Sequence, residues 1–439
     1  MNTKTPSSSS VGNKDLEILP GFLLENFQVF SQLIKRTEQI RQREETRHLM
    51  MMTCAIESTK PVRNEDGSCS VQHIPNFYFC TSNGLTIGYG SKIEFKNGEL
   101  APEGKELLKH IRLTQDGREL TDAEKEAVVK SCFKKRDERD ALISKGKKAP
   151  KLTAPNGKEI PRDSKTRNMT PEAQSVILHG QKGSVPVIDR QSALDAIHFE
   201  MDDKLNKLLQ KVPHLGESLF LKTLALDFAY QDGMTGIQSN NFYKLAKKNE
   251  TAASLNFGGK TDDRSKMRQL LCKMAYKTHK AKVARKGKPA TPESQAVFYV
   301  EALKEFANTF AGDIEKNFGH KKVLMEHFMT IVGMQCMENI KGSPLTPVEM
   351  EQARQQAHQL VFDEIFNSDI IAQLPKELQS KARLDAIRNI STEGLKNSTE
   401  EPMEAVRHSV LETAGTKLTD YNKKHKTDFQ LNVQEGRVS

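Results

Sequence analysis

The 439-residue chain contains no tryptophan, and aromatic residues make up only 6% of it. Proteins that hold single-stranded nucleic acid usually stack its bases on aromatic side chains, so this shortage argues against a nucleic-acid partner. No run of about 18 apolar residues occurs, so we expect no stable membrane span. The start of the sequence has no basic stretch leading into an apolar one, which predicts synthesis in the cytoplasm without a signal peptide.

Motifs of the common metal and cofactor sites are also missing. The six cysteines are scattered with no Cys-x-x-Cys pair, and no His-Glu-x-x-His occurs, so zinc is not expected. Gly259-Lys260-Thr261 ends like a phosphate-binding loop, but Ser254 stands where that loop needs its first glycine. We therefore predict no cofactor and no metal. Apart from Cys80, the cysteines are expected to be thiols that act as small buried hydrophobes.

Positive charge is abundant, with a formal net charge of +9. This charge fits a polyanionic partner, such as nucleic acid, peptidoglycan with its teichoic acids, or a membrane surface, and it equally fits a surface that is merely solubilising. The basic residues are dense between Phe133 and Arg167, where several prolines and glycines interrupt the chain. We predict a long loop inserted at 133–168, which either contacts anionic glycan or lipid or is simply solvated.

The most informative stretch is residues 77–90. Its aromatic run at 77–79 is typical of a strand, and Asn83-Gly84 is typical of a hairpin turn because both residues tolerate positive φ. Residues 85–87 then form the returning strand. Cys80 and Thr86 are therefore expected to flank one turn of a small antiparallel sheet.

A helical pattern precedes this hairpin. Leu49, Met52 and Ile56 recur at helical spacing, and the pattern ends at Glu57. A carboxylate at the end of a helix, facing a hairpin with two polar side chains, is a plausible arrangement for acid/base chemistry.

These residues resemble the phage-type lysozymes, glycoside hydrolase family 24. That family has a glutamate at the end of a helix, then an Asp or Cys, five further residues, and a threonine within a Thr-Ile-Gly-x-Gly strand. Here Glu57, Cys80 and Thr86, in the run Thr86-Ile87-Gly88-Tyr89-Gly90, fit that pattern. The long gap between Glu57 and Cys80 is closer to the pesticin-like, secreted-effector branch. The resemblance implies that Glu57 is the catalytic acid, and that Cys80 and Thr86 orient water and stabilise charge. The alternative for Cys80 and Thr86 is a purely structural role, as a buried cysteine and a strand threonine.

A second segment resembles the same family. Residues 228–237 look like its Phe-Gln/Asn-x-Gly-x-x-Gly segment, which forms a helix break lining the sugar groove. The resemblance implies that Tyr230, Gln231 and Gly233 contribute to substrate binding. Amide side chains suit sugars because they both donate and accept hydrogen bonds. A purely structural role for these residues remains the alternative.

The predicted fold class is α+β, predominantly α, with a lysozyme-like core, a small antiparallel sheet and an all-helical C-terminal extension. We expect a disordered tail at 1–14, a helical segment at 15–48 that buttresses the core or docks a partner, a catalytic domain at 49–305 and a helical domain of unknown role at 310–439. Capping residues at Thr121, Asp189 and Thr346 are predicted to begin helices.

The leading hypothesis is a muramidase that cleaves the β-1,4 bond between N-acetylmuramic acid and N-acetylglucosamine. Without a signal peptide, it would be an antibacterial effector or toxin that another system delivers to the periplasm or cell wall. Its partners would be peptidoglycan, an immunity protein and a secretion-machine carrier. The rival hypothesis is a catalytically silent lysozyme-like module that binds glycan or a protein partner. A nucleic-acid-associated protein is supported by charge alone.

Overall fold

The structure is a computed structural model. It describes residues 21–57, 61–63, 69–71, 73–80, 84–96, 99–181, 184–239, 241–247, 262–316, 321–396 and 401–431. This part of the chain is mostly helical with small antiparallel sheets, which confirms the predicted fold class at that level. The tail predicted at 1–14 lies outside the described residues.

The α-helices are numbered in chain order. Helices α1 to α16 span Gly21–Glu57, Pro102–Lys109, Asp122–Ser144, Pro171–His179, Arg190–Lys211, Leu219–Ser239, Asn241–Lys247, Asp263–Ala284, Pro292–Thr309, Ala311–Lys316, Lys321–Lys341, Pro347–His358, Asp369–Ala372, Lys376–Asn389, Glu393–Lys396 and Pro402–His425. Short 3-10 turns lie at Thr166–Asn168 and Pro213–Glu217, and a π-helical segment, Gln359–Phe366, continues α12.

The strands are short. Strands β1 to β10 span Pro61–Arg63, Cys69–Val71, Ile74–Phe79, Leu85–Gly88, Ser91–Ile93, Phe95–Lys96, Glu99–Leu100, Leu113–Gln115, Arg118–Glu119 and Val187–Ile188. One antiparallel sheet has the order β3-β4-β5 and another the order β10-β8-β9, while β1-β2 and β6-β7 form separate pairs. The β3-β4-β5 sheet contains the predicted hairpin.

Side-chain caps begin three helices where the sequence predicts them. Thr121 and Thr346 each form a capping box with the glutamate three residues later, and the Asp189 carboxylate accepts from the backbone N–H of Ser192 at 2.7 Å. The predicted start of the loop at residue 133 is wrong, because α3 continues to Ser144. No proline or glycine interrupts residues 133–144, so the loop begins only after Ser144.

The central element is α1, a single 37-residue helix. The residues at 32–40 are exposed, whereas Glu45, Thr46 and residues 48–50 are buried. The buried half packs against α5, α6, α11 and α12. The helical segment predicted at 15–48 is therefore, from Gly21 onward, the first part of the same helix that ends at Glu57.

The C-terminal helices share the main hydrophobic core. One cluster of buried apolar residues extends from Leu49 in α1 to Leu418 in α16, and the described residues between 311 and 431 contain helices and no strand. Within the described ranges, none of the helices combines the length and apolar character needed to cross a membrane.

Most cysteines are buried as predicted. Cys54, Cys132, Cys272 and Cys336 are all buried, whereas Cys80 is partly exposed. Burial raises the pKa of Cys132 and of Cys272 to about 12, so both remain protonated thiols at neutral pH.

Candidate active site

The hairpin forms in the predicted position. Strands β3 and β4 pair antiparallel with Tyr78 opposite Thr86, and the backbone N–H of Cys80 donates to the carbonyl of Gly84 at 3.0 Å. The turn residues 81–83, including Asn83, lie outside the described residues. Because side chains alternate along a strand, Tyr78 and Cys80 share one face, and Thr86 lies on that same face.

Cys80 and Thr86 differ in accessibility. Cys80 is partly exposed, while Thr86 is only 3% exposed. The Thr86 hydroxyl donates its proton to the carbonyl of Gly84 at 3.1 Å. Its oxygen retains acceptor capacity, but burial makes Cys80 the member of the pair that a bound molecule can reach.

Glu57 occupies the predicted position at the end of a helix. It is the last residue of α1, and its side chain lies outside the described atoms. One turn earlier, the Thr53 hydroxyl donates to the carboxylate of Asp227 in α6 at 3.3 Å. This contact places the last turn of α1 against the helix that contains the second predicted segment.

Tyr230 joins the two segments that the sequence singled out. Its hydroxyl donates to the backbone carbonyl of Tyr89 at 2.7 Å, in the turn that follows β4. Gly90 has φ +106°, and a Cβ there would collide with the Tyr230 hydroxyl. Gly88 has φ +68°, and its Cβ would lie 2.9 Å from that of Ala193. Both glycines of the Thr-Ile-Gly-x-Gly run are therefore needed for conformation and for close packing.

The predicted helix break also occurs. Gly233 adopts φ 69° and ψ 174° inside α6, which interrupts the helix. Gln231, just before the break, is exposed, and its side-chain carbonyl accepts from the Arg268 guanidinium at 2.8 Å. The amide oxygen that would accept from a sugar hydroxyl is thus held by a cation.

A buried ion cluster beneath the break escaped prediction. Asp227 is 1% exposed, and its carboxylate lies 2.6 Å from Nε of Arg268 and 3.3 Å from Nε of Arg264. The Arg268 guanidinium also stacks over the ring of Phe228 at 3.8 Å. The available cue was a lone aspartate in the otherwise largely apolar stretch 219–230, because an aspartate is rarely buried without a partner.

A second unpredicted contact fixes the hairpin from the other side. The side-chain amide of Gln174 in α4 accepts from the backbone N–H of Phe79 at 2.6 Å and donates to its carbonyl at 3.1 Å. The Arg136 guanidinium lies 4.6 Å from the centre of the Phe79 ring. Both contacts hold the residue immediately before Cys80.

Tyr89, in the turn after β4, has a hydroxyl that stays protonated at neutral pH. Tyr89 is buried, and burial raises the pKa of its hydroxyl, while a hydrogen bond from Arg190 partly opposes that effect.

Across the part of the chain that the structure describes, no three His, Cys, Asp or Glu side chains come together as a metal site.

Comparison with known proteins gave no relative. The chain matches no protein-family model, no curated protein and no solved structure. These comparisons neither support nor contradict the resemblance to lysozymes that the sequence suggests.

Proposed function

We propose that the protein is a peptidoglycan hydrolase, a muramidase that cleaves the β-1,4 bond between N-acetylmuramic acid and N-acetylglucosamine. The main support is the hydrogen bond from Tyr230 to the carbonyl of Tyr89. It brings together two segments, far apart in the chain, that resemble one family and that would line one groove in that family.

The proposed chemistry assigns one role to each residue. A glycosidase needs a carboxylic acid that protonates the leaving oxygen and a second group that acts at the anomeric carbon. Glu57 at the end of α1 supplies the acid. Cys80 and Thr86, on one face of the hairpin, orient water and stabilise charge. Tyr230 and Gln231 contact the sugar, and the break at Gly233 opens the helix toward it.

The biological setting is part of the proposal. Synthesis in the cytoplasm followed by delivery through another system to the periplasm or cell wall would make the protein an antibacterial effector or toxin. Such a protein needs a carrier in the secretion machine and an immunity protein that covers the groove in the producing cell. Both partners follow by analogy with other delivered lysozymes.

One observation favours a catalytically silent glycan- or protein-binding module. Thr86 is buried and its proton is committed to Gly84, and Cys80 stands where a carboxylate is usual in the family. An ordinary thiol is mostly neutral at pH 7 and is therefore a weak base. A module without turnover would keep the fold and the groove and would lose only the hydrolysis.

Digestion of purified peptidoglycan tests the catalytic proposal. We expect wild-type protein to release muropeptides with new reducing ends at muramic acid, and Glu57→Gln to release none. Glu103→Gln, an exposed glutamate in the first turn of α2, is the matched control and should keep full activity. If folded wild-type protein releases nothing, the muramidase proposal is wrong.

Replacement of the thiol separates the two hypotheses. An active site should tolerate Cys80→Asp or become faster, because a carboxylate is the better base at this position. A silent module should show no hydrolysis with either residue and unchanged pelleting with insoluble peptidoglycan. Circular dichroism of each variant verifies that it is folded.

A further inference from the structure

Most of the excess positive charge lies in one short segment. Residues 145–167, here named the basic lobe, contain eight lysines and arginines against two acidic residues. This segment alone contributes +6 of the chain's formal +9. Seven of its eight cationic side chains are exposed: Lys145, Lys147, Lys148, Lys151, Lys158, Lys165 and Arg167.

These cations have few partners within the protein. Lys151 pairs with Glu159 at 3.4 Å. For the other six exposed cations of the basic lobe, no carboxylate among the described residues lies within 4 Å. Unpaired like charges repel one another, so their concentration here is an electrostatic cost to the folded chain. An external polyanion would relieve that cost.

The basic lobe is nevertheless well structured. Ile160 is buried in a small second core with Ala173 and Ile177. The Asp140 carboxylate accepts from the backbone N–H and the hydroxyl of Thr166 at 2.9 and 3.0 Å. Arg139 donates to the carbonyl of Pro161 at 2.5 Å. The exposed cations are therefore displayed on a fixed surface, which lowers the entropic cost of binding.

The basic lobe also lies next to the candidate active site. It leads into α4, where Gln174 holds both backbone groups of Phe79. Arg136, in the helix that enters the lobe, covers the Phe79 ring. Because Cys80 is the next residue, a polymer on the lobe would lie at the Cys80 end of the hairpin.

The side chains of the basic lobe narrow the class of polyanion. The lobe contains no aromatic residue, so it offers no platform for stacking the bases of single-stranded nucleic acid. Within the described chain, none of the large exposed apolar side chains belongs to it, so it lacks the anchors of a membrane-binding surface. Binding would depend on charge alone, which suits a polymer of repeated phosphodiesters.

We propose that the basic lobe binds the phosphodiester backbone of anionic polyol-phosphate polymers attached to the target peptidoglycan. Bound there, the polymer holds the attached glycan close to the hairpin. The second part rests on the proposed muramidase function, whereas the binding itself does not.

Pelleting with purified cell walls tests the binding in a Glu57→Gln background, which lacks the proposed catalytic acid. The test variant changes Lys145, Lys147, Lys148 and Lys158 to Gln. The control variant changes Lys280, Lys282, Lys423 and Lys424, also exposed lysines, to Gln, and so removes the same net charge. Walls are used intact and after hydrofluoric acid has cleaved the phosphodiester-linked polymer.

We expect the test variant to bind intact walls about tenfold or more weakly than its parent, since each lost cation removes one phosphate contact and its counterion release. The control variant should bind within about twofold of the parent. Removal of the polymer should lower parental binding to the level of the test variant. Added salt should weaken binding to intact walls more for the parent than for the test variant, because the parent makes more phosphate contacts.

Three outcomes would overturn the proposal. Equal losses in the two variants would show a non-specific effect of net charge. Unchanged parental binding after hydrofluoric acid would show that the polymer is not the ligand. Lobe-dependent binding to vesicles of anionic lipid, with none to the polymer, would identify a membrane instead. None of these results depends on hydrolysis, so a failure of the muramidase proposal is recognised separately, in the digestion experiment.

Discussion

Replacing Asp227 by asparagine would remove the carboxylate that compensates two cations beneath the candidate site. Asp227 is 1% exposed, and the side chains of Arg268 and Arg264 are 12% and 15% exposed. Each pair, at a charge separation of about 3–4 Å and an effective dielectric constant of about 20, is worth roughly 4 kcal/mol before desolvation is counted. Removal of one partner from a buried ion pair typically costs about 3–5 kcal/mol.

We therefore expect Asp227→Asn to lower the free energy of unfolding by about 3–5 kcal/mol. The Thr53 hydroxyl also loses its charged acceptor, so the last turn of α1 is held less firmly against α6. Urea unfolding followed by circular dichroism measures the change, provided that the slope of the transition is the same in both proteins.

The matched control is an exposed pair on α5. Lys207 and Asp203 lie 2.5 Å apart, and both side chains are 58% exposed. Asp203→Asn should change the unfolding free energy by less than about 1 kcal/mol. Combining Asp227→Asn with Arg268→Gln should cost less than the sum of the single changes, because the second substitution removes a cation left unpaired. Asp227→Asn within about 1 kcal/mol of wild type would refute this reasoning.

Two further predictions concern the turn after β4 and α11. Gly90→Ala should destabilise the protein by about 1–3 kcal/mol. Adding Tyr230→Phe should recover part of that loss, because it removes the hydroxyl that the new Cβ would meet. If the two substitutions have purely additive effects on the free energy of unfolding in urea, this contact is contradicted. Burial and, to a lesser extent, the carboxylate of Glu45 raise the pKa of Glu338 to about 7 from its usual 4.5, an effect that Lys222 partly offsets. Stability from protonated Glu338 is thus fully present below pH 4.5 and is lost as pH rises through 7. Glu338→Gln should unfold at the wild-type urea concentration near pH 4.5 and at a higher one near pH 8, and equal midpoints at pH 8 would count against this assignment.

Local chemistry explains which parts of the fold the sequence could predict. The capping boxes at Thr121 and Thr346, the hairpin around Gly84 and the break at Gly233 each depend on residues a few positions apart, and each occurs as predicted. The continuation of α3 to Ser144 differs from the predicted loop at 133–168, because a basic composition does not by itself indicate a loop. Lysine and arginine are good helix formers, so only the proline and glycine that follow mark its end.

Burial and contacts between distant residues at the candidate site could not be predicted from the sequence. The aromatic run at 77–79 and Asn83-Gly84 correctly predicted a hairpin, but the identity of Thr86 does not reveal whether its hydroxyl is buried. Asp227 and Arg268 are 41 residues apart, and Gln174 and Phe79 are 95 apart. No periodic pattern joins such partners, because their contact arises only when separate helices pack.

The position of α1 ties the C-terminal helices to the candidate site. Its last turn holds Asp227 through Thr53, while the same buried half packs against α11 and α12. Burial lowers the pKa of His48, in that half, to about 4, so the imidazole is neutral in this interface at neutral pH. A chain cut before residue 310 would expose to water the part of the buried half of α1 that packs against α11 and α12, and burial of that apolar surface helps to fix the helix. The C-terminal helices therefore belong to the same packed fold that holds the end of α1 against α6.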